Sequence, residues 1–163
     1  MSNADIRNSF CEWLSVAHWP CPFAVTLTLK QCLFLPSEGG RIRIPIGEEA
    51  ASQNFRHFLN VLNRSLYGKA ACRFGRTVAV VPVLEGGRDK RLHYHAVIGC
   101  PSPSVADRFP GLISNSWLQT QWGYREMEIS AGADRGWLNY MTKLRDKTDF
   151  ASSIDWMNVH LLS

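Results

Sequence analysis

Two periodicities in the hydrophobic positions divide the chain into strands and helices. Apolar residues alternate with polar ones, or run continuously over short stretches, in four predicted β-strands: residues 23–30, 76–85, 92–99 and 123–129. Apolar residues spaced by three and four indicate four helices: residues 6–17, 48–67, 103–119 and 133–147. Pro110 is expected to disturb the third helix. Strands and helices therefore alternate along most of the chain.

The order of these elements predicts the fold class. After the first helix the chain runs β-α-β-β-α-β and ends in a further helix. This is the order of an α+β, ferredoxin-like (RRM-like) unit, an antiparallel four-stranded sheet with helices on one face. The other face can then carry a site. Residues 35–49, LPSEGGRIRIPIGEE, predict a loop or small hairpin, and a length of 163 residues fits one domain, residues 1–163.

Charge adds one feature to this picture. The net charge of +4 is mild, but residues 51–91 hold eight Lys or Arg against two acids. A second basic group lies near the C-terminus: Arg135, Lys143, Arg145 and Lys147. This distribution suits a polyanionic ligand such as nucleic acid, and it suits a solvated basic face equally well.

The cysteines and the N-terminus bear on the compartment. The five cysteines are odd in number, irregularly spaced and without a Cys-x-x-Cys pair, which disfavours a disulfide framework or a thiolate zinc site. The first residues carry an early acid and no hydrophobic signal segment, and no apolar run reaches the about 18 residues of a membrane helix. We expect a cytoplasmic protein, or a nuclear one if it comes from a eukaryotic virus.

The segment RLHYHAVIGC contains the most informative pattern in the chain. Strand side chains alternate between faces, so His93 and His95 point the same way, about 7 Å apart. The apolar residues between and after them point the other way, toward the helices. The histidines are therefore expected on the face that lacks helices, where they could bind a metal ion.

A third ligand is expected from the preceding strand. If Glu85 pairs near Arg91 across the turn GGRDK, Val83 lies opposite His93 and Glu85 lies diagonal to it on the same face. A bulge would reverse this parity. Two imidazoles and one carboxylate with open positions suit Mg²⁺, Mn²⁺ or another divalent ion.

The last predicted helix contains a second pair of chemically useful residues. In GWLNYMTKLRDK, Tyr140 and Lys143 are three residues apart and share one helix face. A tyrosine hydroxyl is a nucleophile toward an activated phosphate, and a lysine can stabilise the charges that develop. The spacing alone is common in amphipathic helices, so its meaning depends on the histidine pair upstream.

Taken together, the motifs resemble a known superfamily. LHYHAVI resembles the His-hydrophobe-His motif of the HUH endonucleases, and NYMTK resembles the Tyr-x-x-Lys motif of their rolling-circle replication initiators with a single catalytic tyrosine. FAVTLTL resembles the threonine-bearing strand that opens the same domain. The three motifs occur in family order between residues 23 and 143.

The resemblance implies a function and assigns roles. It implies a metal held by His93, His95 and a third polar residue, for which Glu85 is our candidate. It also implies that Tyr140 nicks single-stranded DNA at an origin or hairpin and becomes joined to the 5′ phosphate, with Lys143 assisting. A helicase, a domain that this chain lacks, is then a candidate partner. Our candidates for DNA contacts are cations and two aromatic rings: Arg73, Arg76, Arg88, Lys90, Arg91, Arg145, Lys147, Trp122 and Tyr124.

Three alternatives remain open. A single-stranded DNA transposase of the same superfamily would share the chemistry, although Lys143 favours the replication type. A non-catalytic module that binds single-stranded nucleic acid would carry aromatic residues where the central strand has histidines. Other His-x-His metalloenzymes fit poorly, because cupin-type sites need a nearby glutamate and a later histidine and barrel hydrolases need about 250 residues.

Overall fold

The computed structural model describes residues 1–87, 89–143 and 150–162. Within these ranges the chain forms five α-helices: α1 (Asn3–Leu14), α2 (Glu48–Tyr67), α3 (Lys69–Phe74), α4 (Phe109–Leu118) and α5 (Arg135–Met141). It also forms six strands: β1 (Pro22–Leu29), β2 (Cys32–Ser37), β3 (Gly40–Pro45), β4 (Val80–Glu85), β5 (His93–Gly99) and β6 (Gly123–Ala131).

Four of the strands form one antiparallel sheet in the order β4-β5-β1-β6. With the β2–β3 hairpin set aside, β1, α2, β4, β5, α4 and β6 follow the predicted ferredoxin-like order, and the predicted α+β fold class is confirmed. The two central strands are β5 and β1, so the histidine motif lies in the middle of the sheet.

One face of the sheet packs against α2 and α4. The apolar residues of β1 that face these helices are fully buried, and Tyr94 on β5 belongs to the same core. Rings from both helices interlock there, with Phe58 and Trp117 packed edge-to-face at 5.5 Å. Burial of each large apolar side chain contributes about 1.5–3 kcal/mol, so this core fixes the position of the two central strands.

The other face is covered over one half, which the expectation of an open face did not include. A second core of buried apolar residues joins β4 and β5 to α1, α5 and the segment that follows residue 149. Val83 and Val97 face this core from the sheet, while Phe10 and Phe150 close it from outside with their rings 5.6 Å apart. Among the described residues, the half formed by β1 and β6 is the part of this face that remains accessible.

Several element boundaries differ from the predictions. The last helix ends at Met141 with Thr142 as its C-cap, earlier than expected. A short helix, α3, and an irregular segment precede β4, which begins at Val80 instead of residue 76. Pro110 lies in the first turn of α4, where its missing N–H has no partner to lose, so it starts the helix and does not disturb it.

The outer edge of β4 is covered by the C-terminal residues. Val80 exchanges backbone hydrogen bonds with His160, and the Asp155 N–H donates to the Pro82 carbonyl at 3.0 Å. Pro82 has no N–H to offer and is tolerated because its nitrogen faces this edge and not β5. The C-terminal residues thus protect the edge from pairing with another chain.

Two further features concern the whole chain. All five cysteines are free, as predicted. Among the described residues, no helix combines the length and apolar character needed to cross a membrane.

Candidate active site

Three potential metal ligands converge at one end of the central strands. The carboxylate Oε2 of Glu85 lies 3.6 Å from Nε2 of His93 and 3.3 Å from Nε2 of His95. The two Nε2 atoms are 3.1 Å apart. Three donor atoms at these separations can all lie about 2.1 Å from a single ion. The predicted grouping of Glu85, His93 and His95 is present in the structure.

The register of β4 and β5 differs from the predicted one by two residues. Glu85 lies directly opposite His93, and Val83 lies opposite His95. The face is as predicted because a shift of two residues preserves the alternation of side chains. The connection is longer than GGRDK alone, and Gly86 allows its close return: a Cβ there would lie 2.6 Å from the Arg91 carbonyl oxygen.

Hydrogen bonds orient both imidazoles toward the cluster. The Nδ1 atom of His93 lies 2.8 Å from the Arg91 carbonyl oxygen, to which it can only donate. The Nδ1 atom of His95 lies 3.0 Å from the Thr26 hydroxyl on β1. With Nδ1 engaged in each ring, Nε2 is the atom left to bind a metal, and such partners fix the tautomer and ring orientation of metal-binding histidines.

The cluster consists of acceptors that need a cation or a proton between them. The hydrogen bond to the Glu85 carboxylate raises the pKa of His93, burial opposes this, and the Arg91 carbonyl adds to the rise. A proton shared within the cluster therefore compensates the carboxylate when no metal is bound. A divalent ion supplies that positive charge instead, and a mixed nitrogen and oxygen ligand set with open positions is suited to such an ion.

Tyr140 lies beside this cluster. Its ring packs edge-on against the His95 ring at 5.1 Å and stacks on Trp137 at 5.4 Å. The side chain is 47 % exposed, so the hydroxyl is accessible to a ligand. The Nζ atom of Lys143 lies 4.9 Å from the centre of the Tyr140 ring. The structure thus brings the two predicted catalytic side chains together next to His95.

Three contacts hold the short helix α5 in this position. Asp134 caps its N-terminus by accepting from the Trp137 N–H at 2.9 Å, and the Trp137 indole N–H donates to the Ala96 carbonyl on β5 at 3.0 Å. From α1, Arg7 donates to the Asn139 carbonyl at 3.0 Å and to the Thr142 hydroxyl at 3.1 Å. A cation that bonds the last carbonyls of a helix stabilises its C-terminus.

Sequence reasoning missed Arg7, Asp134, Trp137 and the role of Thr26. Asp134 before an apolar segment is an N-cap signal that could have been used. Arg7 carries no such signal, because its partner lies 135 positions away. The Thr26 contact follows from the pairing of β1 with β5, in which Thr26 lies opposite His95.

A groove of about 870 Å³ runs along the accessible half of the sheet beside Tyr140. Its floor is polar and includes Thr26, Thr28 and Glu128, and its wall is formed by α5. This volume is comparable to that of sites for small molecules and is sufficient for a nucleotide. The groove adjoins the metal-ligand cluster through His95, which lines both.

The candidate DNA-binding residues separate into groups. Lys90, Arg91 and Tyr124 lie at the same end of the sheet as Glu85, and the Arg91 guanidinium covers one face of the Tyr124 ring at 4.1 Å. Arg73 and Arg76 precede β4 and lie beyond its opposite end, which is about 17 Å from Glu85.

One aromatic candidate is misplaced. Trp122 is only 8 % exposed and packs in the core beneath α2 and α4, so its ring is not available for stacking with bases. Arg88, Arg145 and Lys147 lie outside the described residues.

A family model for replication-associated proteins of the ORF2 type matches residues 22–149, most of the chain. The chain belongs to this family. The match begins with β1 and includes Glu85, His93, His95, Tyr140 and Lys143. Because the family consists of rolling-circle replication initiators, the resemblance to initiators of the HUH type is confirmed. No curated protein and no solved structure matches the chain.

Membership in this replication-associated protein family narrows the alternatives. A replication-associated protein acts on DNA, and the family favours a role in replication over a transposase. The metal-ligand cluster is consistent with the same family, since both histidines and the carboxylate fall within the matched region.

Proposed function

We propose that this member of the replication-associated protein family nicks and rejoins single-stranded DNA and so initiates rolling-circle replication. The observation that carries the proposal is the contact between the Tyr140 ring and His95, whose Nε2 belongs to the Glu85–His93–His95 cluster. A nucleophile and a metal site in direct contact suit chemistry at one phosphate. Residues 1–163 would act as one endonuclease domain.

Tyr140 is the proposed nucleophile. Its hydroxyl loses a proton and attacks the scissile phosphorus, the bond to the 3′ oxygen breaks, and that oxygen leaves as a 3′ hydroxyl after gaining a proton. The product is a phosphodiester between Tyr140 and the 5′ end of the DNA. One phosphodiester replaces another, so attack by a 3′ hydroxyl can reverse the reaction and rejoin the strand.

The cluster and Lys143 are proposed to stabilise the charges in this reaction. Glu85, His93 and His95 would hold a divalent ion, Mg²⁺ or Mn²⁺, which acts as a Lewis acid on the scissile phosphate and orients it. Lys143 places a positive charge over the edge of the site, 4.9 Å from the Tyr140 ring. A cation there attracts the phosphate and the negative charge of the phenolate.

The shape of the site favours a single strand as substrate. Tyr140 faces a groove beside the sheet, and a base-paired phosphate could enter it only if the strands separated. Arg91, Lys90 and Tyr124 border the same end and are proposed to contact the backbone and a base. We propose that the DNA is an origin or hairpin and that a helicase unwinds it after nicking.

The proposal is tested with a pool of labelled random single-stranded DNA, Mn²⁺ and denaturing electrophoresis. We expect a metal-dependent, denaturant-resistant upshift with the wild-type protein and none with Tyr140→Phe. Tyr67→Phe, a tyrosine on the helix face, serves as the matched control and should behave like wild type. An adduct that persists in Tyr140→Phe would exclude Tyr140 as the nucleophile, and DNA binding without metal dependence or cleavage would favour a binding module.

A further inference from the structure

The β2–β3 hairpin stands apart from the main sheet as a two-stranded ribbon. Its strands pair with each other over residues 32–45, and they form a sheet separate from the other four strands. From residue 34 to residue 45 every side chain is exposed, including Phe34 at 58 % and Ile42 at 54 %. A lone two-stranded ribbon is marginally stable in water, so a ligand that covers it would remove a considerable apolar surface from solvent.

The two faces of the ribbon have different chemistry. Phe34 lies opposite Arg43 and Pro36 lies opposite Arg41, so one face carries an aromatic ring and two cations. Leu35 lies opposite Ile42 on the other face, which is apolar. Glu38 at the turn is the one acid within residues 32–45. Neither arginine forms an ion pair among the described residues.

The ribbon begins at the end of the sheet that carries the metal-ligand cluster. It follows directly after β1, whose Thr28 lies opposite His93. Its base is closed by the Ile46 N–H, which donates to the Gln31 carbonyl at 2.9 Å, and the adjacent Lys30 N–H donates to the Trp122 carbonyl at 2.8 Å. A ligand held by the ribbon therefore lies near DNA that occupies the proposed nicking site.

We propose that the ribbon, residues 32–45, binds double-stranded DNA next to the strand that is nicked. This inference rests on the proposed function, since it identifies the DNA that flanks the same site. The major groove of B-DNA is about 12 Å wide and admits a two-stranded β-ribbon. Six residues per strand span about 20 Å, so the ribbon can follow the groove over several base pairs.

The chemistry of both faces fits a groove better than a single strand. Arg41 and Arg43 are complementary to the phosphates, and arginine also forms paired hydrogen bonds with guanine. Leu35 and Ile42 can contact thymine methyl groups, which are exposed in the major groove. A groove encloses both faces of an inserted ribbon, whereas a stacked single strand would cover the face of Phe34 and leave Leu35 and Ile42 in water.

Binding of two labelled DNAs tests the ribbon by fluorescence anisotropy without metal. One is a random-sequence single strand, and the other is the same strand with a duplex of about two helical turns attached. We expect Arg41→Gln/Arg43→Gln to bind the partly duplex DNA roughly tenfold more weakly, with a salt slope reduced by about two. Binding of the single strand alone should stay within about twofold of wild type. Arg64→Gln/Arg108→Gln, which removes two exposed cations from the helix side, should change neither.

Phe34→Ser provides an independent check, because it alters the ribbon without changing its charge and should also weaken binding only to the partly duplex DNA. Equal losses on both DNAs would show that the ribbon binds the single strand, and unchanged binding would show that it binds neither; each result overturns the proposal. The adduct assay is separate. If no tyrosine adduct forms but the ribbon variants lose duplex binding, the nicking function fails and the ribbon assignment stands.

Discussion

Each metal-binding histidine depends on the partner of its other ring nitrogen. The Thr26 hydroxyl lies 3.0 Å from Nδ1 of His95. We predict that Thr26→Val lowers the affinity for Mn²⁺ by about 10–100-fold, because His95 loses the contact that fixes its ring. Titration calorimetry would measure this. Thr28→Val is the matched control, since the Thr28 hydroxyl bonds the Glu126 carbonyl instead, and equal affinities for both variants would contradict the assignment.

Glu85 is the ligand with the least support from sequence, and it has its own test. Its carboxylate oxygen lies within 3.6 Å of both ring nitrogens, so Glu85→Gln should weaken Mn²⁺ binding strongly by removing the negative charge. His93→Ala and His95→Ala should abolish metal-dependent cleavage. If Glu85→Ala keeps full activity at limiting metal, the third ligand is a different group.

The faces of these residues could be read from the sequence, but their register could not. Strand alternation is local, so His93 and His95 could be assigned to one face from the sequence alone. The pairing of Glu85 with His93 depends on the length and conformation of the connection, where Gly86 and Gly87 both have positive φ. Those angles follow from packing against Arg91 and Leu92, which no short pattern encodes.

Helix α5 has seven residues, too few to be stable without its contacts. Arg7 joins its last turn to α1. We predict that Arg7→Gln slows adduct formation by about tenfold, because a displaced Tyr140 is poorly oriented for attack, and leaves the Mn²⁺ affinity unchanged. Arg7→Lys should restore part of the rate, since it keeps the charge near the carbonyls.

The control for Arg7 is Arg135→Gln, which removes an exposed pairing with Glu12 and should have little effect. Rates are compared at a temperature where every variant is folded. If Arg7→Gln lowers thermal stability but reacts at the wild-type rate, Arg7 supports the fold alone and does not position Tyr140.

Elements with strong local patterns were predictable, and those that depend on distant contacts were not. The alternation in β1 and the three-and-four spacing in α2 determined both elements, and α2 has the predicted bounds. The covering of the second face by α1 and α5 was missed, because it rests on contacts such as Arg7 with Thr142. The two-stranded ribbon was predicted only as a loop or small hairpin, since its exposed apolar residues bury little surface within the chain.

At the scale of the whole molecule, the C-terminal residues fasten the edge of the sheet to α2. The buried Tyr94 hydroxyl donates to Asp155 at 2.8 Å, and the Ser52 hydroxyl donates to the other carboxylate oxygen at 2.9 Å. Burial, reinforced by Asp155, raises the pKa of Tyr94 well above its ordinary value. Tyr94 therefore remains a protonated donor across the physiological pH range.

Loss of this hydrogen bond should destabilise the protein. We predict that Tyr94→Phe lowers the free energy of unfolding by about 1.5–3 kcal/mol, the range for hydrogen bonds to charged groups. Urea denaturation would measure the change. Tyr67→Phe, half-buried on the same side of the sheet, should cost less. Equal losses in the two variants would show that Asp155 contributes little to fastening the C-terminal residues.

The central claim is that Tyr140 carries the DNA after nicking, and mass spectrometry of the trapped adduct tests it most directly. The wild-type adduct formed with Mn²⁺ is digested with nuclease and trypsin. The account predicts a residual nucleotide on the tryptic peptide of residues 136–143, which contains Tyr140 and no other tyrosine. A nucleotide found on a peptide that lacks Tyr140, or strand cleavage that leaves a free 5′ phosphate with no protein adduct, would contradict it.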